Sequence, residues 1–241
     1  MTQFVYGKNV VKQILIENQR AKCVYLNGND PEIVKLANRN HIPIQMVSKK
    51  ELLHMVKTDR HQGVVCSVEP YKTYTLDELI ASVPKDRHGL IVLLDELEDP
   101  HNLGAILRTA DAVGADGVIF KKTNAVGLTP TVAKVSAGAI ETVKSCAVTN
   151  LARAIEKLQK DGWWVVGADM DGQDYRSLDY AMNTVLVIGN EGSGISRLVR
   201  EKCDYVVSLP MRGKITSLNA SVSAGILLYE IQSKRFPLAE V

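Results

Sequence analysis

From Gly89 onward, short apolar runs alternate with longer amphipathic stretches. The runs at 90–94, 117–120, 142–146, 163–168, 184–188 and 205–209 predict strands. Between them, apolar residues at helical spacing predict helices near 103–113, 130–137, 151–160, 195–202 and 220–234. Strands that are apolar along their whole length suit a sheet covered on both faces, and their regular alternation with helices is the pattern of a parallel α/β sheet. Gly114, Gly138 and Gly162 fall where a left-handed residue ends a helix, and Asn150 falls at an N-cap position.

Residues 1–70 read as a separate, smaller α/β unit. Val10, Val11, Ile14 and Leu15 recur at helical spacing, and a strand follows at 23–26. A helix runs from Asp30-Pro31 to Asn38, then a strand at 42–47. Ser48 caps a helix reaching Met55, with Glu51 at capping-box spacing, and a last strand lies at 63–68. The polar stretch 71–87 is assigned as a linker holding one helix near 76–83, which leaves 88–241 as the larger domain.

Charge sharpens this division. The 241 residues carry a net charge of +2, but residues 1–72 hold +5 and the remainder −3. A basic arm on a nearly neutral body suits a partner bearing phosphates, and equally a solvated basic surface. Composition is that of a globular protein, 46% hydrophobic and 23% charged, with no apolar stretch long enough for a membrane span. The first residues lack the charged-then-apolar layout of a secretory signal, so the expected location is cytoplasmic, with no membrane partner. Cys23, Cys66, Cys146 and Cys203 stand apart and read as buried thiols, while the five histidines form no ligand cluster; no metal is expected.

A parallel sheet invites a dinucleotide fold, yet no G-x-G-x-x-G follows the first strand of the larger domain. The run Gly189-Asn190-Glu191-Gly192-Ser193-Gly194 has different spacing and follows the fifth strand. Gly213-Lys214 lacks the upstream glycine and following hydroxyl of a P-loop. Arg108 has the clearest direction of any charged group. It lies roughly 160° around its helix from the stripe Leu103, Ile106, Leu107, Ala110 and Val113, so it faces solvent, a partner subunit or a ligand. Asn102 falls near the start of that helix, where a capping role would account for it.

Three blocks gather the remaining polar signals: 99–110 (Asp-Pro-His-Asn-Leu-Gly-Ala-Ile-Leu-Arg-Thr-Ala), 188–194 (Ile-Gly-Asn-Glu-Gly-Ser-Gly) and 209–222 (Leu-Pro-Met-Arg-Gly-Lys-Ile-Thr-Ser-Leu-Asn-Ala-Ser-Val). Each runs from a strand end through a polar turn into a helix, where open parallel sheets collect ligand contacts. In this order and spacing they resemble motifs 1, 2 and 3 of the SpoU (TrmH-type) RNA ribose 2′-O-methyltransferases of the SPOUT superfamily, over about residues 90–235.

The resemblance implies a catalytic set of Asn102, Arg108, Glu191, Ser217 and Asn219, each filled by the expected residue type. Within that set, Asn102 would orient the hydroxyl or Arg108, and Glu191 would orient backbone or a basic group. Ser217 and Asn219 also stand where they would cap the following helix. It implies S-adenosyl-L-methionine as methyl donor, held at Gly189, Gly192, Leu209, Met211, Ser217 and Leu218. It implies a parallel-sheet domain with a deep trefoil knot, a homodimer, and a small N-terminal α/β substrate-binding domain. That N-terminal unit points to the rRNA-modifying branch and to a guanosine of 23S rRNA, since minimal tRNA enzymes lack such a module. The alternatives are a tRNA ribose 2′-O-methyltransferase and a non-catalytic RNA-binding ribosome assembly factor, the second opposed by the intact catalytic set.

Overall fold

The structure, a computed structural model, describes residues 3–17 and 20–237. The chain forms two compact units, Met1–Tyr71 and Lys72–Val241.

The first unit follows the order β1 (Gln3–Tyr6), α1 (Lys8–Glu17), β2 (Ala21–Leu26), α2 (Pro31–Arg39), β3 (Ile44–Met46), α3 (Lys49–Val56) and β4 (Val64–Val68). Its sheet has the order β1-β4-β2-β3, with β4 antiparallel to both neighbours and β2 parallel to β3. The expected helix starts hold: Asp30 accepts from Ile33 N ahead of Pro31, and Ser48 and Glu51 form a reciprocal capping box. Val11, Ile14 and Leu15 of α1 pack with Ile33, Ala37, Val24, Leu26, Val64 and Cys66 into one core. β1 was not expected. It is short, and it becomes a strand by pairing along β4, a contact invisible to local pattern. Burial pushes the Cys66 thiol up to about 12, as an inert core cysteine requires.

The second unit contains α4 (Leu76–Ala81), β5 (Leu90–Leu94), α5 (Pro100–Ala112), β6 (Gly117–Lys121), α6 (Pro130–Ser136), α7 (Ala139–Thr142) and β7 (Lys144–Val148). It continues with α8 (Leu151–Lys160), β8 (Trp164–Asp174), β9 (Thr184–Ile188), α9 (Arg197–Arg200), β10 (Tyr205–Ser208) and α10 (Ala220–Arg235). Its six strands, in the order β10-β8-β9-β5-β6-β7, are parallel throughout. All five residues of β5 and of β9 are buried, which is why these segments lack a polar face.

Four local expectations change. The stretch 71–87 is more than a linker, because Tyr74 N donates to Ser145 O at 2.9 Å and Leu79 of α4 lies in the core beside Ile91 and Ile119. Residues 139–142 are a helical turn instead of a strand start, because Ser136 Oγ accepts from Ile140 N and restarts the helix. The helix expected at 195–202 shrinks to α9, since Ser196 N is taken by the buried Asp95 carboxylate at 2.7 Å. Asn102 is not the N-cap: Asp99 caps α5 through His101 N, and Asn102 sits inside the first turn.

The last helix is fixed at both ends. Asn219 Oδ1 accepts from Ser221 N and Val222 N at its start. At its end, Arg235 donates to Met182 O at 2.6 Å and Thr184 Oγ1 at 2.9 Å, and burial draws its guanidinium down to about 10.

Candidate active site

The carboxyl ends of β8, β9 and β10 open on a cavity of about 290 Å³. Its walls include Gly189, Gly192, Leu209, Met211, Ser217 and Leu218, all six residues expected to hold a donor, together with Glu191. Val207, Ile188 and Leu227 supply further apolar wall. Among the described residues lining it, the charged groups are the carboxylates Asp169 and Glu191. Such a cavity suits a cationic, partly apolar ligand and offers a phosphate chain nothing to neutralise it.

Local bonding explains the turn after β9. Asn190 and Gly194 exchange backbone hydrogen bonds, each 2.9 Å, and close a five-residue loop. Asn190 Oδ1 accepts from Gly192 N at 2.8 Å, and its amide donates to Glu96 O at 2.9 Å. Gly189 must be glycine here, because a Cβ would overlap the Gly194 carbonyl carbon. The backbone of 189–194 is thereby fixed before any ligand arrives.

Glu191 reaches the first motif from this loop. Its Oε1 accepts from Asn102 Nδ2, and Asn102 is buried at 6% exposure on the first turn of α5. The two expected catalytic residues therefore meet, though Glu191 takes a neutral amide instead of a basic group. Arg108 lies two turns along the same helix and is exposed, with Leu103, Ile106, Leu107 and Ala110 fully buried on the opposite side. It does not line the cavity. Ser217 is exposed on the cavity rim, and capping of α10 falls to Asn219, which does not line the cavity.

Sequence reading missed two parts. Asp95, 2% exposed just after β5, anchors the start of α9; the run Asp95-Glu96-Leu97-Glu98-Asp99 gives no sign of which acid is buried. The third wall is an excursion in β8. Its pairing with β10 jumps from Gly167–Val206 to Gln173–Val207, so residues 168–172 loop out and Ala168, Asp169 and Met170 enter the cavity wall. Gly172 closes the base of this loop, where a Cβ would stand 2.5 Å from the Val207 carbonyl carbon. No helix among the described residues is long and apolar enough to cross a membrane, and none of their His, Cys, Asp and Glu side chains cluster as a metal site.

Residues 89–229 match the family described as the SpoU rRNA Methylase family, and residues 4–74 match the domain described as RNA 2'-O ribose methyltransferase substrate binding. YacO of Bacillus subtilis (strain 168), named within the TrmH family of tRNA/rRNA methyltransferases, is 48% identical over 98% of each chain. The solved SpoU methyltransferase AviRb of Streptomyces viridochromogenes, in complex with AdoMet, has 27% identity and a TM-score of 0.66 over 97% of this chain and 90% of its own. A TrmH/SpoU tRNA modifying enzyme of A. aeolicus has 32% identity and a TM-score of 0.57 over 66% of this chain and 82% of its own.

Proposed function

The chain belongs to the SpoU rRNA methylase family, and from that membership we infer that it transfers methyl from S-adenosyl-L-methionine to a ribose 2′-hydroxyl of rRNA, at a guanosine of 23S rRNA. The observation that carries this reading is the convergence of Gly189, Gly192, Leu209, Met211, Ser217 and Leu218 on one cavity. The residues fit the donor. Apolar walls from Leu209, Met211 and Leu218 suit its adenine and thioether portions, backbone groups of 189–194 can read its polar edges, and two carboxylates suit its cationic charge. When bound, the donor supplies a methyl group on a sulfonium, which leaves without help from an acid.

The protein's part is to activate and aim the hydroxyl. Arg108 is assigned an electrostatic role and not that of a base. It acts by stabilising the negative charge that builds on the 2′-oxygen as that oxygen bonds to the methyl carbon and the methyl–sulfur bond breaks, the hydroxyl proton passing to solvent, and by holding the adjacent phosphate. Asn102, tied to Glu191, sets the floor on which the ribose is oriented.

Arg108 works across a homodimer in this reading, reaching the cavity of the neighbouring copy. Its outward direction supports that arrangement. So does the exposed row Val222, Tyr229 and Phe236 along and just past α10, at 49%, 53% and 63% exposure. Family membership likewise implies a deep C-terminal trefoil knot, with residues 220–234 packing after threading. The first unit, basic and matched over 4–74 to a substrate-binding domain, delivers the RNA.

Transfer of tritiated methyl onto unmodified bulk rRNA and tRNA, with mapping of the labelled ribose, tests the reading. Label on tRNA alone would favour the second reading, a tRNA ribose methyltransferase, which the tRNA/rRNA names of the relatives support. Arg108→Ala is expected to slow transfer by about 10²–10³-fold while donor affinity stays unchanged. Retained turnover in that variant would remove Arg108 from the mechanism.

A further inference from the structure

The 168–172 excursion forms one wall of the cavity, yet within β8 it has no ladder partner on β10. Strand pairing resumes only at Gln173, so something else must set where the loop stands. Arg200, the last residue of α9, does so from the far side of the glycine turn. Its Nε donates to Asp169 Oδ2 at 3.1 Å and its Nη2 to Asp171 Oδ1 at 2.6 Å. Asp169 Oδ1 meanwhile accepts from Met170 N at 2.7 Å, which folds the backbone so that Met170, 69% exposed, stands at the cavity mouth.

Each end of this connection has its own anchor. α9 is fixed through Ser196 N on the buried Asp95, and the loop base is fixed where Gly172 meets Val207. One planar guanidinium thus spans two carboxylates of a loop that would otherwise repel each other. We propose that Arg200 is a positioning residue for the donor, setting the width of the cavity by clamping the 168–172 loop against α9. It touches neither donor nor RNA, and acts through Asp169 and Met170. This inference rests on the donor reading of the cavity.

The clamp predicts a selective defect. In Arg200→Met, the dissociation constant for S-adenosylhomocysteine, measured by calorimetry on the full chain, rises about fivefold, the scale of a half-exposed charge pair. The donor KM rises with it, while kcat and the KM for RNA stay unchanged. Arg200→Lys recovers part of the affinity, because one ammonium reaches a single carboxylate. Asp171→Asn, at a side chain 72% exposed, gives an intermediate loss and serves as the deciding variant should Arg200→Met lose its thermal transition.

Variants that bind S-adenosylhomocysteine as tightly as wild type would overturn the clamp. So would a fall in kcat at unchanged donor KM. Absence of any binding heat from the wild-type chain would instead bring down the donor reading, and this inference with it.

Discussion

Two glycine-bearing segments wall the same cavity and are held in opposite ways. The loop 190–194 is closed by its own reciprocal backbone bonds, by Asn190 over Gly192 N, and by a tie to Glu96 O. Residues 211–219 are all exposed, and among the described residues no backbone hydrogen bond starts or ends within 210–218. One wall is a preformed rigid surface, while the other is fixed at its ends by β10 and by the Asn219 cap. A site that must admit RNA and release product profits from this division, because a rigid side can aim a donor while a loose side closes over it. The exposed side chains Met211, Ile215 and Leu218, at 38%, 70% and 36%, suit a segment completed by another surface.

Substitutions along the two walls can break the contrast. The largest effect is expected from Gly189→Ala, whose methyl overlaps Gly194; a loss of about 3 kcal/mol and of donor binding should appear in denaturant melts and calorimetry. Asn190→Ala removes the side-chain bonds that close the rigid loop, and should cost about 2 kcal/mol by the same melts. Asn219→Ala tests the end of the loose segment, where losing the cap of α10 should cost about 1 kcal/mol. Gly213→Ala should change stability by less than about 0.5 kcal/mol, because nothing lies within 4 Å of the added methyl. A cost for Gly213→Ala as large as that for Asn190→Ala would erase the distinction between the walls.

The first α5 turn shows how far local reading reaches. The apolar stripe of α5 and the outward direction of Arg108 follow from spacing alone, and both hold. Placing Asn102 at the N-cap failed, because the Asp99-Pro100 pair starts the helix earlier. That displacement turns Asn102 from a capping residue into the buried partner of Glu191, 89 positions along the chain. β8 repeats the lesson. Its apolar start at 163–168 was legible, but the looped continuation to Asp174 exists because β10 pairs on both sides of it.

Sequence periodicity determined the alternation of strands and helices, the split into a basic unit and a larger parallel sheet, and the three turns that carry polar residues. These depend on which residues neighbour one another within a turn or a strand. Tertiary structure alone decided that β9 and β10 lie on either side of β8, that Glu191 meets Asn102, and that Arg200 reaches Asp169. Strand order and long-range ion pairs arise from how separate elements bury their faces together, and that choice leaves no periodic trace in the chain.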